Sequence, residues 1–213
     1  MWLPFALLSG LVFGIRRIYD KKLTGQYDNF SLSFVQQAFS LAPTLLLFLF
    51  FPIPSNFLAL SWQFWWPLLV IWFILYPVQQ YYLFRAIREG DLSHVTPVLA
   101  LVPVFNAATS FFIIGEHVSI LGLSGIFAIV FATFLLLIDT HEDSDSKYNK
   151  PVLFMLISCI CMAIGSTMDK IAIGASTPVF YSFVNLLGAS IIFLVLAYAY
   201  GQTGELRQVK HCE

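Results

Sequence analysis

Apolar residues fill this chain in long runs, and polar or turn-forming residues arrive in short clusters between them. A helix needs roughly 20 apolar residues to cross a hydrocarbon core about 30 Å thick. Seven runs approach that length, at 2–19, 32–51, 65–84, 95–114, 120–138, 152–168 and 179–200. They predict an all-α integral membrane protein of about seven transmembrane helices. The longest polar interruption, DTHEDSDSKYNK, is too charged to enter a bilayer and too short to be a domain. It divides the chain into a five-helix unit (1–138), a polar linker (139–151) and a two-helix unit with a polar tail (152–213).

The two units are related. Slid against itself by 149 positions, the sequence places Asp20-Lys21 on Asp169-Lys170, Gly25 on Gly174 and Ser33-Phe34-Val35 on Ser182-Phe183-Val184. Phe5 on Phe154, Leu7 on Leu156, Ser9 on Ser158 and Ile15 on Ile164 extend the match, though identities between apolar positions weigh less than the polar ones. A unit with an odd number of helices forces its copy to enter the membrane from the other side, the inverted-repeat plan of many secondary transporters. The second copy supplies two helices, so the remaining three are expected in a continuation of the chain, in a second copy of it, or not at all.

Composition agrees with the pattern. Hydrophobic residues make up 59% and charged residues 11% of the 213, with mean hydropathy +0.81. A soluble globule carries roughly 25% charged residues. A net charge of -1 gives no reason to invoke nucleic acid. With alternating spans, Arg16, Arg17, Lys21, Lys22, Arg85, Arg88, Lys147, Lys150, Arg207 and Lys210 share one side and Lys170 takes the other. The positive-inside rule then predicts an external N-terminus in the plasma membrane. The N-terminus lacks a basic n-region and a cleavage site, so the first helix is expected to stay.

From Tyr81 to Ile138 the sequence resembles the EamA-like domain of the drug/metabolite transporter superfamily. The residues concerned are Ala86, Gly90-Asp91-Leu92-Ser93, Thr96-Pro97, Pro103, Gly115-Glu116, Gly122 and Gly125. Asp20-Lys21 is similar to the variant whose two halves each begin with a helix closing on Asp-Lys. The resemblance implies ten helices in two inverted five-helix repeats, a cavity between them, and transport of small metabolites.

Candidate chemistry follows from polar groups at membrane depth. Pro97 and Pro103 each remove a backbone donor and free a carbonyl. Thr96, Pro103, Asn106 and Ser110 share a helix face, which lines either a solute cavity or a kinked packing seam. Trp72, Tyr76 and Gln80 follow at four-residue steps; Tyr76 and Gln80 are the cavity candidates, whereas Tyr81 and Tyr82 suit the interfacial belt. Asp20, Lys21, Asp169 and Lys170 are either coupling groups or helix-end anchors that snorkel, and Glu116 is expected to make a helix-end or gating contact. Arg16 and Arg17 either attract an anionic solute or, as expected here, snorkel to the cytoplasmic surface. Gly10 and Gly14 form a G-x-x-x-G, and small residues stripe the fifth helix, both read as packing.

The histidines His94, His117, His141 and His211 lie in loops, turns or the tail, and Cys159, Cys161 and Cys212 match no ligand spacing. No catalytic residue, metal site or cofactor is expected, and an intramembrane enzyme is disfavoured. The function expected is alternating-access carriage of a small solute by helices one, three, four and six, with no nucleotide motif to drive it. The alternative is a non-transporting remnant or assembly subunit; the partners expected are the solute, the bilayer, and a homodimer mate or missing C-terminal helices.

Overall fold

The computed structural model describes residues 2–24, 27–51, 60–139 and 149–200. These form seven helical rods: α1 (Trp2–Thr24), α2 (Asn29–Leu47), α3 (Trp62–Glu89), α4 (Leu92–Ile114), α5 (Ile120–Asp139), α6 (Asn149–Gly174) and α7 (Pro178–Ala199). No strand occurs among the described residues. The protein is an all-α membrane protein, as its hydropathy pattern predicts. Helices α2, α3, α4, α6 and α7 are long and apolar enough to span a bilayer, and α5 adds a shorter apolar stretch, Ile120–Thr133. Helix α1 has the length and is the most charged of the seven, through Arg16, Arg17, Asp20, Lys21 and Lys22.

Several helices overrun their predicted limits by one or two turns. Helix α3 begins at Trp62 and ends at Glu89, and α6 runs from Asn149 to Gly174. Apolar runs report the hydrocarbon crossing, whereas a helix continues until a residue stops it. Gly90 stops α3: a Cβ there would stand 2.5 Å from Val95 Cγ2 and 2.7 Å from Pro151 Cβ, so only glycine admits the close approach of α4 and α6. Gly115 stops α4 in the left-handed region, φ 75°, where its N–H and that of Glu116 satisfy the carbonyls of Phe111 and Ser110.

Helix α6 lies at the centre, flanked by α3 and α4, while α2 packs along α7 and α5 leans on α4. The two helices α3 and α6 are antiparallel. Leu83, Ala86 and Ile87 meet Met155 and Cys159 near one end, and Phe64 and Leu68 meet Ala172, Phe180 and Tyr181 near the other. The first of these ends gathers Arg16, Arg17, Lys21, Lys22, Arg85, Arg88 and Lys150 and is called the basic end below. Lys170 lies at the opposite end. Helix α6 takes in 149–151, the last residues assigned to the linker; residues 140–148 and the tail 201–213, with Lys147, Arg207, Lys210, Cys212, His141 and His211, lie outside the described residues, as does Gly25.

Candidate functional site

The polar interior near the opposite end is organised by a distortion of α3. Between Ile71 and Leu75 the helix widens into a π turn, closed by Tyr76 N–H reaching back five residues to Ile71 O. Pro77 follows at once. A proline ring clashes with the carbonyl four residues before it in an ideal helix, and a wider turn relieves that clash. The widening re-aims Trp72 and Tyr76 onto α7. Trp72 Nε1 donates to Asn185 Oδ1 at 3.0 Å, and Asn185 Nδ2 donates to Tyr76 Oη at 2.8 Å and Tyr181 Oη at 3.1 Å. Tyr181 Oη in turn donates to Asp169 Oδ1 on α6. Asn185 thus spends both ends of its amide, and an aromatic stack of Tyr76 on Phe193, 6.3 Å between centroids, backs the chain.

Space adjoins this network. Gly165, one turn before Asp169 on the same face of α6, is buried, yet a methyl group placed on it would meet no neighbouring atom within 4 Å. Gly188 is the reverse case. A Cβ there would stand 2.2 Å from Trp72 Cζ2, so the glycine is what lets the indole lie against α7.

The predicted polar face of α4 turns partly toward α6. Ser166 Oγ donates to Asn106 Oδ1 at 2.5 Å, and Thr109 Oγ1 pairs with Thr167 Oγ1 at 2.9 Å beside Ala163 O. Ser110 is buried, Thr96 and Pro97 open a 3₁₀ segment, Thr96–Leu101, and Pro103 is exposed on the outer side. Asn106 thus meets α6 through Ser166 and Ser110 is turned inward, whereas Pro103, expected on the same face, is exposed. A break does exist in α4, nearer the basic end than mid-membrane, because two prolines six residues apart tighten the turns between them. Gln80 is buried on α3, its Oε1 without a partner among the described residues.

The ionisable candidates separate to the two ends. At the basic end Lys21 Nζ donates to the carbonyls of Ile87 and, at 2.6 Å, Gly90, capping the C-terminus of α3. Arg88 answers from α3, giving Nε to Thr24 O at 2.7 Å and Nη2 to Tyr27 O and Asn29 Oδ1 at 3.0 Å. Each cation sits on the negative end of the other's helix. Asp20 does not snorkel: it is 2% exposed, accepting from Gln36 Nε2 at 2.8 Å and from Arg17 Nη1 at 3.2 Å. Arg17, 7% exposed, also turns inward, contrary to expectation, while Arg16 reaches outward to Gln36 Oε1. At the opposite end Lys170 Nζ meets Glu116 Oε2 at 2.6 Å, joining two residues singled out separately in the sequence. Asp20-Lys21 and Asp169-Lys170 accordingly stand at opposite ends of the bundle.

Gln36, Tyr181 and Asn185 were not singled out by sequence reasoning, and Arg88 was read only as one of the charges that set orientation. Two carried a usable signal: Gln36 and Asn185 correspond under the 149-residue offset and are both side-chain amides. Cys159 packs in the basic-end core and, with Cys161, is a free thiol. Among the described residues no group of three metal-ligating side chains forms.

A model of the EamA-like transporter family matches residues 1–138. No curated protein and no solved structure matches the chain. The chain belongs to the EamA-like transporter family, and it is accordingly a multi-pass membrane protein of the drug/metabolite transporter type.

Proposed function

We propose that this protein is a secondary carrier of a small metabolite, its solute held beside Asp169, Tyr181, Asn185, Tyr76 and Trp72 and exposed to the two sides in turn. The observation that supports this reading best is the hydrogen-bonded chain from Asp169 to Trp72, lying across three helices next to unfilled space at Gly165. An ionisable residue within a membrane helix is a functional candidate by default, and Asp169 is half-buried and tied into this network. π turns recur at functional sites because they re-aim side chains without ending the helix.

Alternating access also needs a closure at each of the two ends. The Lys21 and Arg88 clamp ties α1 to α3 through several charge-assisted bonds. The Lys170–Glu116 pair is about half exposed on both partners, 55% and 49%, and such pairs contribute only about 0–1 kcal/mol. The opposite end is therefore the easier to open. By charge bias the basic end is cytoplasmic and the N-terminus external, in the plasma membrane. The decisive experiment is a metabolite uptake and efflux screen on the reconstituted protein; a solute carried by wild type and not by Asp169→Asn sustains the reading, and one carried equally by both sinks it.

A second reading rests on α1, whose residues 7–16 are all exposed, Gly10 and Gly14 included. It makes α1 a docking surface for a second copy or for further helices, with the single chain an assembly subunit. Mass measurement in detergent separates the two: a monomer that transports alone removes the subunit reading.

A further inference from the structure

A cleft at the basic end takes no part in the carrier reading. It lies between the first turn of α2, residues 77–88 of α3 and the residue that follows α7, and it encloses a cavity of about 530 Å³. Small-molecule sites occupy about 300–1,000 Å³. Tyr81 and Tyr82, which suit the interfacial belt by sequence, here wall a cavity. They meet edge to face at 5.4 Å on the α3 side, while Phe30 and Tyr200 meet at 5.4 Å on the α2 and α7 side. The cleft has depth: Phe30 is 8% exposed, Tyr81 39% and Tyr200 67%.

Two opposite charges line the same cavity, Asp28 and Arg88. Arg88 is held in place by its bonds to Thr24 O, Tyr27 O and Asn29 Oδ1. Asp28 stands at the N-cap of α2, where an aspartate normally accepts from the first turn's N–H groups, yet its side chain makes no capping bond. The next cation along α3, Arg85, is matched by Glu89 at 2.6 Å. The cleft therefore presents one charge of each sign beside aromatic rings, whose faces attract ammonium groups. Such a lining suits a ligand that carries both signs itself.

We propose that this cleft seats the zwitterionic head group of a phospholipid, its ammonium among the tyrosine rings and Asp28 and its phosphate on the Arg88 side. Position argues for a lipid over a soluble zwitterion. Helices α2, α3 and α7 are all long and apolar enough to span the bilayer, and the cleft lies where the three of them end on one side, at the level of one leaflet's head groups. An apolar track leads away from it toward the middle of the bundle. Val78 lines the cleft at 37% exposure, and Ile74, one turn further in on the same face of α3, is 57% exposed. An acyl chain attached to the seated head group would run along these two side chains. The inference does not depend on the carrier reading.

The test uses the full chain in detergent, titrated at constant ionic strength with short-chain phosphatidylcholine or with phosphatidylglycerol of the same chain length, while thermal unfolding is followed. Phosphatidylcholine is expected to raise Tm saturably. Phosphatidylglycerol lacks the ammonium and should bind at least about tenfold more weakly. Asp28→Asn keeps a good N-cap residue and should lower the phosphatidylcholine affinity by about tenfold. Tyr200→Leu should lower it by about threefold, whereas Tyr198→Leu, at a side chain 77% exposed and outside the cavity lining, should leave it unchanged. No saturable shift in wild type, equal response to the two lipids, or wild-type affinity in both Asp28→Asn and Tyr200→Leu would overturn the proposal. Free phosphocholine separates the sources: weaker binding than the lipid supports the acyl track, and binding as tight as the lipid overturns the lipid assignment. None of these readouts involves transport, so a protein that carries no solute would still give them.

Discussion

Replacing Gly188 by alanine adds one methyl group and should be among the most damaging single changes in the bundle. The new Cβ would stand 2.2, 2.3 and 2.6 Å from Trp72 Cζ2, Cε2 and Cη2, all inside contact distance and all on a rigid ring. The indole must move, and when it does Trp72 Nε1 leaves Asn185 Oδ1, 3.0 Å away. Overpacking costs about 1–3 kcal/mol, and stranding the buried amide acceptor costs about 1–3 kcal/mol more. The sum, about 2–6 kcal/mol, is a large share of a typical domain's stability. Gly165→Ala is the matched control, since its methyl meets nothing within 4 Å, and it should fall within about 0.5 kcal/mol of wild type or gain slightly from helix propensity. Denaturant titration in micelles followed by far-UV circular dichroism measures both. Trp72→Phe removes Cζ2 and Cη2, so in the Gly188→Ala background it should recover the packing loss and not the hydrogen bond, a coupling of at least about 1 kcal/mol. The reasoning fails if Gly188→Ala unfolds where Gly165→Ala does, or if Trp72→Phe adds to its damage.

Gly165→Phe should fill the space beside Asp169 and abolish uptake in vesicles while leaving the helical content intact; uptake at the wild-type rate would show that solute does not pass there. Lys21→Met removes charge-assisted bonds to two carbonyls and should cost about 1.5–3 kcal/mol in the same denaturant titration, whereas Lys170→Met should cost no more than about 1. Equal costs would contradict the unequal closures. Tyr181→Phe severs the link between Asp169 and Asn185 and should lower transport at least tenfold with less than about 2 kcal/mol lost in stability; full activity would remove the network from the transport path.

The fold was legible because bilayer crossing and apolar run length are the same physical quantity. Each of the seven runs falls mainly on one helix, the second running four residues past the end of α2, and even the π turn had a marker in Pro77. The site was legible only in fragments. Trp72 and Tyr76 could be placed on one stripe, but their common partner Asn185 is more than 100 residues away and announces nothing by its own surroundings. Lys170 and Glu116 were both recognisable as charges at helix ends, while their meeting depends on the left-handed turn at Gly115. The direction of an arginine is the least readable feature of all. Arg16 and Arg17 are chemically identical, and the 100° between them on the helix decides that one meets solvent and the other the interior.

The two halves meet the same requirement with different residues. In the first, Gln36 on α2 donates directly to Asp20 on α1. At the corresponding places in the second, asparagine is one methylene shorter than glutamine, and Asn185 reaches Asp169 only through Tyr181 Oη. The first half has Leu32 where the second has Tyr181, so the hydroxyl appears where the shorter amide leaves a gap. A backbone detail is shared without change: Ser33 Oγ donates to Asn29 O at 2.7 Å, and Ser182 Oγ to Pro178 O at 2.8 Å. A carboxylate is thus tied to an amide on the next helix at each end of the bundle, directly in one half and through a hydroxyl in the other. Under the proposed carrier reading, each end would hold its acidic group in place while the other opens, and the half-exposed Lys170–Glu116 pair, set against the Lys21 and Arg88 clamp, would be the end to open first.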